Sequence, residues 1–244
     1  MAFFSDPALW MMAGVIFLGA VVQGSVGFGY ALIAAPVAML VQPQLIPGPL
    51  TLISLGITLA TTFRERRSMG RPAGLPWIVV GLLPGYWLGS HALVFLPPRE
   101  TAYFFGCAVL IAVGISFSGL RMRPRPVTLL PAGFLAGFMS ITTTMGGPPL
   151  AIALQDLPGP QLRGTLALAF TAGSLISLSI LHAIGRFGPD EFWQGMHLLP
   201  FAILGLMLSG PLSRWLDRGS TRVAVLLLAA LSGLAVMLRQ FFSG

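Results

Sequence analysis

The sequence predicts an all-α integral membrane protein made of two inverted-topology repeats, each a broken helical hairpin followed by three transmembrane helices. The first observation behind that prediction is composition. Of 244 residues, 55% are hydrophobic and 9% charged, with a mean hydropathy of +0.86. A soluble domain carries about 25% charged residues, so this chain cannot cover a water-facing surface and lipid must solvate most of it. The second is an internal duplication. Residues 17–36 read FLGAVVQGSVGFGYALIAAP and residues 134–153 read FLAGFMSITTTMGGPPLAIA; a shift of 117 positions pairs Phe17 with Phe134, Leu18 with Leu135, Gly29 with Gly146 and Ala34 with Ala151. The third is where the arginines fall.

The apolar runs, in order, are 8–41, 45–63, 74–96 and 101–120 in the first repeat (1–125), then 128–155, 164–183, 192–213 and 222–242 in the second (126–244). Six suit a single crossing of about 20 residues. The run at 8–41 would extend about 51 Å as one helix, against a hydrocarbon core of about 30 Å. Gly24, Gly27 and Gly29 interrupt it, and Gly146, Gly147, Pro148 and Pro149 interrupt the run at 128–155. If all eight runs cross once, nine arginines fall on one side and five on the other; if each broken run turns back as a hairpin, the split is eleven to three. The second arrangement obeys the positive-inside rule far better. It makes the loops with Arg64, Arg66, Arg67, Arg71, Arg121, Arg123 and Arg125 cytoplasmic and both termini periplasmic. Three crossings per half, an odd number, then force the halves to insert in opposite orientations. Leu45 and Gly56 share the 117-residue spacing with Leu162 and Gly173, and Leu75, Pro76 and Gly81 pair with Leu199, Pro200 and Gly205 at a longer one. The N-terminal MAFFSDPALWMM has no basic residue; it lacks the n-region of a cleaved signal, and the first apolar stretch is expected to be retained.

Backbone unwound within a bilayer must be buried in protein or line a wet cavity, because an orphan N–H or C=O costs several kcal/mol in hydrocarbon. Two symmetric breaks are therefore expected to meet near the midplane, each followed by a helix start, near residue 30 and near residue 148. A helix start offers free N–H donors and a positive dipole end, and two facing one cavity make an anion site. The residues expected to bind are Gln23, Gly24, Ser25, Gly27 and Gly29 at the first break, and Ser140, Thr142, Thr143, Thr144, Gly146 and Gly147 at the second. All are neutral donors or bare backbone, and neither break carries Asp or Glu, which argues against a cation. Small residues and hydroxyls also permit close helix packing, the alternative reading of either break alone.

Other features weigh less. His91 and His182 lie in apolar runs and are candidates for proton coupling, against an ordinary interfacial role. Asp156 and Arg163 bracket LPGPQL as either a gating ion pair or a solvated loop. The one cysteine, Cys107, excludes an intrachain disulfide and a Cys-rich metal site and is expected to be buried. Trp10, Trp77, Trp193 and Trp215 sit near run ends as an aromatic belt would. The net charge is +7, yet the arginines cluster between spans and no nucleic-acid module is present. HExxH, GxSxG, paired carboxylates and a nucleotide loop are missing, and the chain has no lysine at all. No enzyme, metal or cofactor is expected.

The glycine-rich segments, Gly24, Gly27, Gly29 and Pro36 in the first half and Gly137, Gly146, Gly147, Pro148 and Pro149 in the second, resemble the signature of the TauE/SafE family of sulfite and organosulfonate exporters, also described as 4-toluene sulfonate uptake permeases. The resemblance covers the whole chain, including Leu75, Pro76, Gly81, Gly85 and Gly89 and their echo from Leu199 to Gly210. It implies a secondary transporter in the bacterial inner membrane that moves a small anionic sulfur compound, such as sulfite or sulfoacetate, by proton-coupled export. Thr142, Thr143, Thr144 and Met145 stand where many members carry more glycine, which would add hydroxyls to the pocket. The residues alone leave a passive anion channel or a non-transporting assembly subunit open, and a homodimer is equally open.

Overall fold

The computed structural model describes residues 7–67, 72, 74–95, 107, 110, 111, 114 and 123–216, with side chains described as far as residue 210. The run expected at 222–242 and all but four positions of that at 101–120 lie outside the described residues. The described chain forms α1 (Pro7–Val26), α2 (Tyr30–Val41), a 3-10 turn (Pro43–Leu45), α3 (Gly48–Glu65), α4 (Leu75–Phe95), α5 (Pro126–Thr143), α6 (Gly147–Ala153), α7 (Gly159–Ala183) and α8 (Pro189–Leu216). Proline occupies the first turn of α3, α5, α6 and α7, where its missing N–H and fixed φ cost nothing.

Helices α1, α4, α5, α7 and the Pro189–Gly210 part of α8 are long and apolar enough to cross a membrane. The expected crossing at 45–63 is α3, which does not reach that hydropathy. Its 18 residues span about 27 Å, but Thr51, Ser54, Thr58, Thr61 and Thr62 dilute its apolar character. Large apolar side chains elsewhere point outward, among them Trp87 (63% exposed), Phe95 (76%) and Met207 (72%), as a lipid-solvated surface requires. Cys107 is exposed, against the expectation of burial: an apolar span buries only the face that meets other helices.

Glycine contacts fix the helix directions. A Cβ at Gly81 would meet the Leu130 carbonyl, at Gly85 that of Phe134 and at Gly89 that of Phe138. That constant spacing makes α4 and α5 parallel. A Cβ at Gly205 would meet the Phe17 carbonyl and one at Gly24 the Ser209 side chain, so α1 and α8 are parallel too. Helices α3 and α7 run antiparallel: Glu65 ends α3 beside Arg163 near the start of α7, while Gly48 starts α3 beside Arg186 and Phe187 beyond the end of α7. The residue spacing in the sequence pairs Gly81 with Gly205, but the packing gives Gly85 and Gly205 equivalent contacts, on Phe134 and Phe17. The equivalence is one helical turn further along α4 than the LP motif implies.

Two cores result. One gathers Met12, Ile16, Tyr30, Ala34, Leu50, Ile53, Ile57, Leu198 and Leu206 from α1, α2, α3 and α8, and Met139 of α5 and Met145 of the second break reach into it. The other gathers Ile78, Leu82, Tyr86, Ala136, Leu150, Leu166, Ala169 and Leu181 from α4, α5, α6 and α7. Each bundle therefore contains the third long helix of the opposite half of the chain. Phe28 packs against both cores.

Candidate functional site

Both long runs are interrupted. Between α1 and α2, Gly27 and Gly29 adopt φ of 97° and 121°, a region that costs glycine nothing and other residues dearly. The chain then folds back along α1: a Cβ on Gly19 would stand 3.1 Å from the Tyr30 carbonyl, and the Tyr30 amide donates to Gln23 Oε1 at 3.3 Å. The first intrahelical bond that follows runs from Ile33 N–H to the Gly29 carbonyl at 3.3 Å. The amides of Ala31 and Leu32 precede it, among the first-turn donors that an α-helix cannot pair internally.

Between α5 and α6 the turn is made by Thr144 at φ 62°, whose amide donates to the Ser140 carbonyl at 2.8 Å. The Met145 amide donates to Thr143 Oγ1 at 3.3 Å. Helix α6 begins at Gly147, but it is only seven residues long. The two breaks touch, since a Cβ on Gly147 would lie 3.1 Å from the Phe28 ring.

Where they meet there is a cavity that leaves about 40 Å³ for the centre of a water-sized sphere. The first break and the start of α2 contribute Gln23, Phe28, Gly29, Ala31 and Leu32; the second break contributes Ser140, Thr144, Met145, Gly146 and Gly147. Thr51 and Ser54 on α3, Tyr86 on α4, and Phe170, Ser174 and Ser177 on α7 complete it. None of these lining side chains is charged. Thr144 Oγ1 and Ser177 Oγ are buried with no hydrogen-bond partner among the described residues. Tyr86 and Ser140 share a side-chain hydrogen bond, and Thr51 Oγ1 donates to the Pro47 carbonyl at 2.7 Å. The chemistry offered is a lining of neutral hydroxyls, some already bonded within the protein and two, on Thr144 and Ser177, left to a ligand, with one helix start.

Six of the residues singled out in the sequence line this cavity: Gln23, Gly29, Ser140, Thr144, Gly146 and Gly147. Five lie elsewhere. Gly24 sits within α1, not in the break, and its carbonyl accepts from Arg64 Nη2. Ser25 Oγ donates to the Val21 carbonyl at 2.8 Å. Gly27 packs on the Arg163 backbone. Thr142 and Thr143 donate back to Phe138 at 2.8 Å and Met139 at 2.7 Å, so their hydroxyls satisfy their own helix. His91 and His182 are exposed, each with Nδ1 on a carbonyl, Trp87 at 2.8 Å and Phe187 at 2.9 Å, and neither lines the cavity. Asp156 is not the partner of Arg163, whose Nε donates to Glu65 Oε1 at 3.0 Å.

Thr51, Ser54, Tyr86, Phe170, Ser174 and Ser177 escaped the sequence reading. The signal existed: Thr51 and Ser54 are three apart, and Phe170, Ser174 and Ser177 follow i, i+4, i+7, each set on one face of a helix.

A family model described as Sulfite exporter TauE/SafE matches residues 12–236. Among curated proteins, the chain is similar to the "Probable inner membrane transporter protein TsaS" of Comamonas testosteroni, 26% identical over 183 residues, which cover 71% of this chain and 74% of that protein. No solved structure matches the chain.

Proposed function

The chain belongs to the sulfite exporter TauE/SafE family, and from that premise we propose that it carries sulfite or a short organosulfonate across the bacterial inner membrane through the cavity between its two breaks. The observation that carries this reading is the lining itself: two touching breaks, hydroxyl donors from α3, α4, α5 and α7, two buried hydroxyls without partners, and the start of α2. Oxyanion oxygens accept hydrogen bonds, and hydroxyls and backbone amides donate them. The dipole of α2, a 12-residue helix, adds positive potential at Ala31 and Leu32. Carboxylates are absent from the lining residues, which disfavours a cation. A water needs about 10–15 Å³ of such space, so the cavity suits a few waters or one group of sulfite size better than an aryl sulfonate.

Transport follows an alternating-access cycle, with the Arg-rich loops cytoplasmic and the two halves of the chain forming an inverted repeat. The equivalent contacts of Gly85 on Phe134 and Gly205 on Phe17, in helix pairs that run in opposite directions, support the inverted repeat. Export, rather than uptake, follows the family's description. No His lines the cavity, so a proton that moves with the substrate would ride on the anion itself, as sulfite permits. A closed route at the Arg-rich end, described next, favours a carrier over an open channel.

The test is flux of labelled sulfite in proteoliposomes, with sulfate, chloride and C2 sulfonates as competitors. Saturable uptake with counter-flow acceleration, competed by a C2 sulfonate, is the expected outcome. Absence of both sulfite and sulfonate movement sinks the substrate; unsaturable current without counter-flow sinks the carrier.

A further inference from the structure

The two bundles meet along α3 and α7, and the cavity is not centred on that seam. Thr51, which lines it, is three residues from the start of α3, about 4.5 Å along the helix. At the other end, Ser54 is eleven residues from Glu65, about 16 Å. Along that length α3 carries Ile57, Thr58 and Thr61 and α7 carries Leu166 and Ala169, all buried. The tip of the first break closes it further, since a Cβ on Gly27 would meet Arg163 Cα at 3.2 Å and Leu166 Cδ1 at 3.3 Å.

Among the described residues, three charges cluster at the far end. Glu65 is buried, with a side chain 8% exposed, and its Oε1 lies 3.0 Å from Arg163 Nε and 3.4 Å from Arg64 Nε. Arg64 reaches back within its own bundle, donating to the Gly24 carbonyl and, at 2.8 Å, to Ser209 Oγ. It thereby ties α1 to α3 and α8. The Glu65–Arg163 bond instead crosses from one bundle to the other.

We infer that Glu65 and Arg163 form a latch that holds the two helix-exchanged bundles together at the Arg-rich end and keeps the cavity shut on that side. This rests on the alternating-access reading above, and it changes what moves. The bodies that separate are α1–α3 with α8 and α4–α7, not the two halves of the sequence. A charge partly removed from water is costly to leave without its partner. Opening toward the Arg-rich end must therefore rehydrate Glu65 and Arg163 as they part, which water entering the opened seam supplies. Neither residue touches the cavity lining, so both act by position.

The test needs no substrate. In the full chain with Cys107→Ser, Ser174→Cys places a thiol in the cavity, and a membrane-impermeant maleimide is applied to vesicles of each orientation. The parent is expected to label slowly from the Arg-rich face. R163Q and E65Q, which remove the ion pair from opposite sides, should label several-fold faster from that face, while R163K should label like the parent. Loss of one neutral variant to misfolding leaves the other. Parent-like labelling of the neutral variants, or R163K labelling like R163Q, overturns the latch. A flat labelling result leaves the sulfur-anion reading untouched, and failed sulfite flux leaves the latch untouched.

Discussion

Ser177 and Thr144 hold hydroxyls at the cavity that none of the described residues satisfies, whereas Thr142 and Ser25 spend theirs on their own helices. A typical hydrogen bond contributes about 0.5–1.5 kcal/mol, roughly two- to twelve-fold in Kd. Ser177→Ala and Thr144→Val are each expected to weaken sulfite binding by that factor, read by calorimetry in detergent. Thr142→Val and Ser25→Ala should leave Kd where it was. Backbone conformation matters at the same scale. Gly27→Ala puts a side chain at φ 97° against the Arg163 backbone and should cost about 1–3 kcal/mol, seen as a lower melting temperature. The glycines and hydroxyls of both breaks were visible in the sequence as types. Which hydroxyl faced the cavity was not, because a Ser or Thr in a helix can equally bond the carbonyl four residues back.

Each long helix pair is set by glycines that let backbones touch. Gly85→Ala and Gly205→Ala place a methyl on the carbonyls of Phe134 and Phe17, and neither backbone can yield without separating its pair. Each should destabilise by about 1–3 kcal/mol, measured by thermal aggregation in detergent. Gly14→Ala is the control, because among the described residues no atom beyond its own stretch of helix lies within 4 Å of that Cβ position; it should be neutral or gain up to about 1 kcal/mol of helix propensity. Element positions were legible from apolar run lengths, and the breaks from glycine and proline punctuation. The partner of each helix was not. The reason is that helices such as α1 and α4 are apolar nearly all round, so the pattern does not say which side meets protein and which meets lipid.

For the molecule as a whole, the exchanged bundles make a specific prediction about crosslinking. A covalent link between α1 and α8, both in one bundle, should leave sulfite flux intact. A link between α3 and α7 at the Arg-rich end should abolish it while the purified protein still binds sulfite. Loss of flux with the α1–α8 link would show that the moving bodies are drawn elsewhere. By itself the sequence determined the solvent, the broken runs and the arginine asymmetry, since hydropathy, glycine and charge act locally and can be read one residue at a time. Only the tertiary structure decided that α8 joins α1 and α4 joins α5, that α3 and α7 supply four of the seven hydroxyl side chains lining the cavity, and that Arg163 meets Glu65 and not Asp156. Those outcomes depend on packing between residues far apart in sequence, from Gly81 on Leu130 to Gly205 on Phe17, and lipid attracts apolar faces nearly as well as a neighbouring helix does. Small residues and buried polar contacts therefore select the partners, and their geometry exists only once the bundles have formed.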